Sequence, residues 1–214
     1  MEFLKVGFKQ GNHLYTSSKT PVAGAEVYVK DENTYYHTTM DKVEGKLTAV
    51  KLDPSDFGER LKLFIQKDEN SCYILEIPTV NKDRLNDWAC EIAKFLPNLK
   101  LGKQIEISAN TSNMDKKGYP YKNLYISQDG EKVQWAFPLT DIPPLSKKFN
   151  KLKNADVYNS EDRDAFLYEK IKESVEGFKK ENKTAHTPSD YKTSTNKPAA
   201  DIDLSGEDND DLPF

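Results

Sequence analysis

The sequence predicts a mainly β protein with helices, an α+β fold, followed by a disordered tail. Residues 1–145 contain many short runs in which apolar and polar residues alternate, the pattern of half-buried strands. Two other segments space their apolar residues three and four apart, which is typical of amphipathic helices. Residues 182–214 have too little apolar area to offset the entropy lost on ordering, so we expect them to be disordered.

Five strands are predicted in the first part of the chain. Residues 3–8 and 25–30 are short strands around a loop rich in Gly, Ser, Thr and Pro, and residues 46–52 are a third strand. Residues 60–66 and 72–77 flank a polar turn, so they form a hairpin.

The spacing of apolar residues then changes. Residues 82–96 follow the helical pattern and end before a proline, which predicts a helix. Strands are predicted at 104–109, 121–127 and 132–137. Counted from the strand at residues 46–52, the predicted order is three strands, a helix, two strands and a further hairpin strand. This is the order of the OB-fold, a Greek-key barrel that binds oligonucleotides.

The chain therefore divides into three predicted regions. Residues 1–145 are an OB-fold domain with an N-terminal strand extension. Residues 146–181 are an irregular connector and a helix at 161–181, and residues 182–214 are a disordered linker and an acidic tail.

Charge is unevenly divided between these regions. The net charge is −4, but six of the 35 acidic residues lie in residues 199–214, which contain no Lys or Arg. Residues 1–198 thus hold 29 acidic residues against 31 basic ones, a charge of about +2. This asymmetry indicates that residues 1–198 bind an anion and that the acidic tail has a separate function.

Several classes of protein are disfavoured by what the sequence lacks. It contains no run of about 18 apolar residues and none of the common nucleotide-binding or hydrolase motifs. His13, His37 and His186 are scattered, so we expect no enzyme, metal site or cofactor. Cys72 and Cys90 lack CxxC spacing; two reduced, buried thiols are favoured over a disulfide, which stays an alternative.

Aromatic residues interleaved with lysines are the pattern that a single-strand binder needs, because cations neutralise phosphates and flat rings stack on bases. Lys62, Phe64 and Gln66 oppose an aliphatic strand face, and segment 116–122 joins two strands where OB-folds grip nucleic acid. The predicted single-stranded-DNA site is Lys62, Phe64, Tyr73, Lys116, Lys117, Tyr119, Tyr121, Lys122, Tyr125 and Trp135.

Other aromatic residues are ambiguous at this level. Trp88 lies on the apolar face of its helix and is assigned to the core, whereas Trp135 and Phe137 fit the core as well as the surface. Tyr35 and Tyr36, beside His37, are a lesser candidate patch.

The C-terminus combines an acidic run with apolar residues. It ends in Asp210-Asp211-Leu212-Pro213-Phe214, which resembles the Asp-Asp-Ile-Pro-Phe tip of bacterial single-stranded-DNA-binding proteins, with Leu212 in place of Ile. Some phage proteins of this class also carry acidic tails with a terminal Phe. The long body and the absence of a Gly-rich linker resemble a divergent, phage-like member, so the bacterial tetramer is not carried over and the oligomeric state stays open.

The resemblance implies a docking function for the tip. The terminal ring would enter a hydrophobic pocket of a polymerase, helicase, primase or nuclease, while the carboxylates meet basic residues there. The predicted docking residues are Asp208, Asp210, Asp211, Leu212, Pro213 and Phe214.

The leading hypothesis is sequence-independent single-stranded-DNA binding in replication, recombination and repair. It places the protein in a bacterial or phage-infected cytoplasm, with no membrane partner. An OB-like adaptor that binds only protein and an RNA-binding OB protein are the alternatives. A nuclease with a carboxylate-bound metal is the least favoured.

Overall fold

A computed structural model of the chain describes residues 2–8, 14–30, 32–55, 58–81, 84–110, 122–150 and 155–185. Within these ranges the protein is mainly β, with two α-helices. The strands are β1 Glu2–Phe8, β2 Leu14–Ser18, β3 Glu26–Lys30, β4 Asn33–Met40, β5 Lys42–Asp53, β6 Arg60–Gln66, β7 Ser71–Pro78, β8 Val80–Asn81, β9 Arg84–Leu85, β10 Gln104–Asn110, β11 Asn123–Gln128, β12 Glu131–Lys132, β13 Ser146–Asn150 and β14 Ala155–Asn159. The helices are α1 Asp87–Ala93 and α2 Glu161–Ala185, with 3-10 turns at Leu96–Asn98 and Leu139–Asp141.

Ten strands form one sheet in the order β12-β11-β10-β5-β6-β7-β1-β2-β4-β3. Among the described residues this order does not close into a ring. The strands β5, β6 and β7 form a meander, and β10 returns beside β5 after α1, so β10-β5-β6-β7 has the strand order of a Greek key. At the other side of the meander, β1 pairs with β7 in parallel. The N-terminal strands thus extend the meander sideways.

One face of the sheet, here called the core face, carries the hydrophobic core. Leu61, Leu63 and Ile65 of β6 and Leu75 and Ile77 of β7 are fully buried on it. Both helices bury their apolar stripes in the same cluster, through the side chains Trp88, Ala89, Ile92, Ala93, Leu167, Ile171, Val175 and Phe178. The side chains of the opposite face, here called the outer face, alternate with these along each strand.

Much of the predicted secondary structure is confirmed. The strands at 3–8, 25–30, 60–66, 72–77 and 104–109 match described strands closely, and the predicted helix 161–181 lies within α2. Trp88 is buried, as assigned, and both cysteines are buried free thiols. None of the described helices has the length and apolar character needed to cross a bilayer.

Other predicted elements are wrong in extent. The predicted irregular connector contains the hairpin β13–β14, and β2 and β4 lie where no strand was expected. The predicted helix 82–96 is shorter because β8 and β9 form a small hairpin first, and the Asn86 side chain then accepts a bond from Trp88 N and begins α1. The predicted strand 132–137 ends at Lys132, since the chain turns away and Ala136 N donates to Lys94 O.

Candidate nucleic-acid interface

Phe64 lies in the middle of the outer face. It is opposite Ala49 of β5 and Ile74 of β7, and Ile74 in turn is beside Lys5 of β1. Directly paired residues point to the same side of a sheet, so these four side chains share the outer face. The Phe64 ring is half-buried, and Lys51 Nζ lies 5.2 Å from its centroid. A flat ring with a cation beside it is therefore presented on this face.

Basic side chains outnumber acidic ones around Phe64. Lys62 Nζ lies 3.0 Å from Asp53 and 3.8 Å from Glu76. Glu76 is also 3.5 Å from Arg60 and 3.7 Å from Lys5, whose side chain is 71% exposed. With Lys51, this part of the face holds four cations and two carboxylates. The exposed ammonium of Lys5 is only weakly held by its ion pair, since ion pairs of exposed side chains are worth about 0–1 kcal/mol, so a phosphate can compete for it.

On the side of the outer face formed by β5, β10 and β11, two carboxylates share one lysine. Lys42 bonds Glu44 at 2.8 Å and Glu106 at 2.9 Å, and these hydrogen bonds raise the pKa of its ammonium above the usual value. Tyr125, 48% exposed, lies here beside Ser108. The excess of positive charge on the outer face therefore lies around Phe64.

Tyr125 and Trp135 line a groove of about 500 Å³ at the edge of the sheet, together with Lys132 and Phe95. Trp135 is 41% exposed, and Lys94 Nζ lies 4.7 Å from its ring. Phe137 instead packs against the core, edge-on to Phe166 at 5.5 Å. Of the two aromatic residues left open by the sequence, Trp135 is thus at the surface and Phe137 is partly buried against the core.

Lys122 is held at the start of α1. Its ammonium is 3.1 Å from Asp87 and 5.5 Å from the ring centroid of Trp88, which stacks on Phe8 at 4.3 Å. Burial acts to raise the pKa of Asp87, but the hydrogen bond and charge of Lys122, with the charge of Arg84, outweigh it and lower that pKa. Lys122 therefore has a structural contact apart from any role with DNA.

The expectation that Tyr73 is an exposed stacking platform is wrong. Tyr73 pairs with Ile65 of β6 and Leu4 of β1, which places it on the core face, and it is 8% exposed. Its strand carries apolar residues on both faces, so alternation alone does not tell which side faces the core.

Other predicted site residues lie outside the described part of the chain. These are Lys116, Lys117, Tyr119 and Tyr121 of the 116–122 segment, and the docking residues Asp208, Asp210, Asp211, Leu212, Pro213 and Phe214.

Three cations of the outer face were not among the predicted site residues: Lys5, Lys51 and Arg60. They come together because the register aligns β1, β5 and β6. The alternation in residues 60–66 carries the signal for Arg60, which shares the parity of Lys62 and Phe64. Lys51 has the parity of the buried Leu47, and the irregular pairing between Leu47 and Ala49 turns it to the outer face. The position of Lys5 on this face can be recognised only once the parallel pairing of β1 with β7 is known.

No family model, curated protein or solved structure matches this chain. The side chains of the chain itself are therefore the basis for inferring its function. Within the described ranges, no group of three or more His, Cys, Asp or Glu side chains is arranged to hold a metal ion. What the outer face does offer is a ring flanked by cations, the combination that binds a polyanion carrying planar groups.

Proposed function

We propose that this protein binds single-stranded DNA without sequence preference and recruits replication, recombination and repair proteins through its acidic C-terminus. The observation that carries the proposal is the outer face around Phe64, where Lys51 lies beside the aromatic ring and Lys5, Arg60 and Lys62 contact two carboxylates. Cations neutralise phosphates, and each base that stacks on a ring gains about 1–3 kcal/mol whatever its identity.

The fold supports this proposal through its strand order. The meander β5-β6-β7, the helix α1 and the return of β10 beside β5 follow the order of an OB-fold. In this interpretation β6 and β7 are strands 2 and 3 of the fold, whose outer surface binds oligonucleotides. Phe64 and Lys62 lie on that surface.

The test is a titration of the full chain with fluorescent oligo-dT and with a duplex of matching length. We expect much tighter binding to the single strand, with an affinity that falls steeply as salt rises because counterions are released. Equal affinity for both nucleic acids overturns the proposal. Tighter binding to an oligo-U strand favours the RNA-binding alternative, and binding to neither favours the protein adaptor.

Charge-matched variants distinguish the effect of a specific binding surface from the effect of the net charge of the protein. The double variant Lys5→Ala/Lys51→Ala removes two cations from the outer face. The control Lys103→Ala/Lys179→Ala removes two exposed cations elsewhere, each of which pairs with a carboxylate. For a single strand the slope of log K against log salt falls by about 0.7 per lost phosphate contact. We expect a reduction of about 1.4 in the first variant only, and equal reductions in both contradict the proposed surface.

The acidic tail is proposed to compete with DNA for the same cations. Residues 199–214 carry six carboxylates and no basic residue. Deleting them is expected to tighten oligo-dT binding at low salt and to have little effect at high salt, where charges are screened. An unchanged affinity at low salt contradicts the competition.

A further inference from the structure

Three aromatic rings from three neighbouring strands are in contact on the N-terminal part of the sheet. The centroids of Tyr15 and His37 are 4.6 Å apart, and those of Tyr28 and His37 are 5.1 Å apart. The strands β2, β4 and β3 that carry them are adjacent in the sheet. We call these three residues the aromatic ladder.

The aromatic ladder lies on the outer face, on the same side as Phe64. Tyr15 pairs with Gly7 of β1, and Gly7 has the same parity as Lys5, the neighbour of Ile74. The Tyr15 ring lies over the Gly7 backbone, since a Cβ added there would be 3.0 Å from Tyr15 Cε1. The absence of a side chain at Gly7 lets this ring extend toward Phe64.

The aromatic ladder is not a margin of the hydrophobic core. Its companions on the outer face of β2, β3 and β4 are polar or aromatic: Ser17, Glu26, Asn33, Tyr35 and Thr39. The buried residue of β2 is Leu14, on the core face. Tyr28 is 48% exposed at the edge strand. Aromatic surface is thus open to solvent where no apolar packing requires it.

The candidate patch of Tyr35 and Tyr36 is divided by this geometry. Tyr35 pairs with Tyr28 and lies on the outer face, whereas Tyr36 pairs with Val27 and lies on the opposite face. The two tyrosines of this candidate patch therefore lie on opposite faces of β4.

We infer that the aromatic ladder of Tyr15, His37 and Tyr28 is a second base-stacking platform, which lengthens the single strand that one molecule binds. The inference rests on the proposed function. Five strand spacings separate β6 from β3, a distance of about 24 Å at roughly 4.8 Å per spacing. A stacked strand covers that distance with about seven nucleotides at roughly 3.4 Å each, within the range of about 4–16 that one OB-fold binds. Lys5 lies between the two platforms, with its ammonium available to a phosphate.

The experiment compares oligo-dT strands of increasing length on the full chain. The variant Tyr28→Ala/His37→Ala removes two rings of the ladder. The ring-retaining variant is Tyr28→Phe/His37→Phe. The control Val27→Ala/Val29→Ala changes the same edge strand on its opposite face, where both side chains are 64% exposed.

We expect the Ala variant to lose roughly 5- to 150-fold in affinity for long strands, the value of one base stack. Strands too short to reach both platforms should bind unchanged, and fewer nucleotides should be occupied per molecule at saturation. The Phe variant and the Val control should match the parent chain. The single variant Tyr28→Ala, at an exposed edge position, gives the same length-dependent loss if the double variant does not fold.

Two kinds of failure are distinguishable. If the parent chain does not bind single strands, the proposed function and this inference both fall. If the parent chain binds them but the losses are absent, or equal at every length, only the second platform is overturned. If the Val control loses affinity as well, the effect is due to the stability of the edge strand, and the inference of a second platform is overturned.

Discussion

Lys51 holds its ammonium nitrogen 5.2 Å from the centroid of the Phe64 ring, across the pair of strands β5 and β6. The contact is a cation–π interaction, worth about 0.5–1 kcal/mol at an exposed site. It holds a cation, proposed to bind a phosphate, beside the ring that is proposed to stack on a base. The two proposed functions thus lie on adjacent strands.

Phe64→Ala should therefore weaken oligo-dT binding by about 1–3 kcal/mol, because one stacking partner is lost. Phe64→Trp should retain the affinity, and Phe64→Leu, which keeps apolar area without a flat ring, should resemble the Ala variant. Fluorescence anisotropy measures the affinity, and circular dichroism checks the fold. Parent-like binding by Phe64→Leu would show that stacking does not occur at this position.

Tyr73 gives the opposite expectation, because it is buried on the core face. Tyr73→Ala should lower the free energy of unfolding by about 3–5 kcal/mol, as large-to-small changes of buried aromatic residues do. Tyr73→Leu keeps much of the apolar volume without a flat ring and, where the variant is folded, should leave oligo-dT affinity unchanged. Urea denaturation and anisotropy provide the two readouts. A large loss of affinity in the folded Leu variant would return Tyr73 to the binding site.

Gly45 is required by the close approach of β5 to the end of β6. A Cβ at this position would overlap the carbonyl oxygen of Gln66, and backbone atoms cannot move aside as a side chain does. Gly45→Ala should destabilise the protein by about 1–3 kcal/mol, the usual cost of overpacking. Gly177→Ala on α2 is the control, since nothing lies within 4 Å of its Cβ and Ala should stabilise a helix by about 0.5–1 kcal/mol. Chemical denaturation should show a lower free energy of unfolding for Gly45→Ala and a higher one for Gly177→Ala.

The Asp87–Lys122 ion pair makes a predictable contribution to pH-dependent stability. The pKa of Asp87 is lowered in the folded protein, so its stabilising effect is complete above the unfolded-state pKa of about 3.9 and is lost as pH falls through the folded value. Asp87→Asn should therefore be less stable than the parent chain at about pH 6, and the difference should shrink as pH falls through the lowered pKa of Asp87 in the folded protein. Urea denaturation across this range measures the difference. A difference that persists at the acid end would mean that the ionised carboxylate is not its source.

Prediction from sequence succeeded where one strand face is aliphatic and the other is not. Leu61, Leu63 and Ile65 alternate with Lys62 and Phe64, so only one register buries the apolar side chains. It failed for Tyr73 because apolar residues occupy both parities of β7. There the pairing partners, which are distant in sequence, decide the face.

The hairpin β13–β14 was missed for a related reason. Its residues include Ser146, Lys147 and Asn159, which show little of the alternation that indicates a half-buried strand. The hairpin is defined by the backbone pairing of its two strands rather than by the burial of its side chains. The cations around Phe64 likewise come from three strands, so the register had to be known before the site could be assembled.

The parallel pairing of β1 with β7 has a consequence for synthesis of the chain. Phe3 pairs with Cys72, so the first strand, which pairs early with β2, has no partner on the meander side until roughly seventy residues have followed it from the ribosome. At about 5–20 residues per second, this wait lasts several seconds. During that time β1 to β4 can form their antiparallel pairs from local contacts, and the meander of β5 and β6 can form in the same way. The junction that joins the aromatic ladder to the surface around Phe64 is therefore expected to be among the last parts of the nascent protein to assemble.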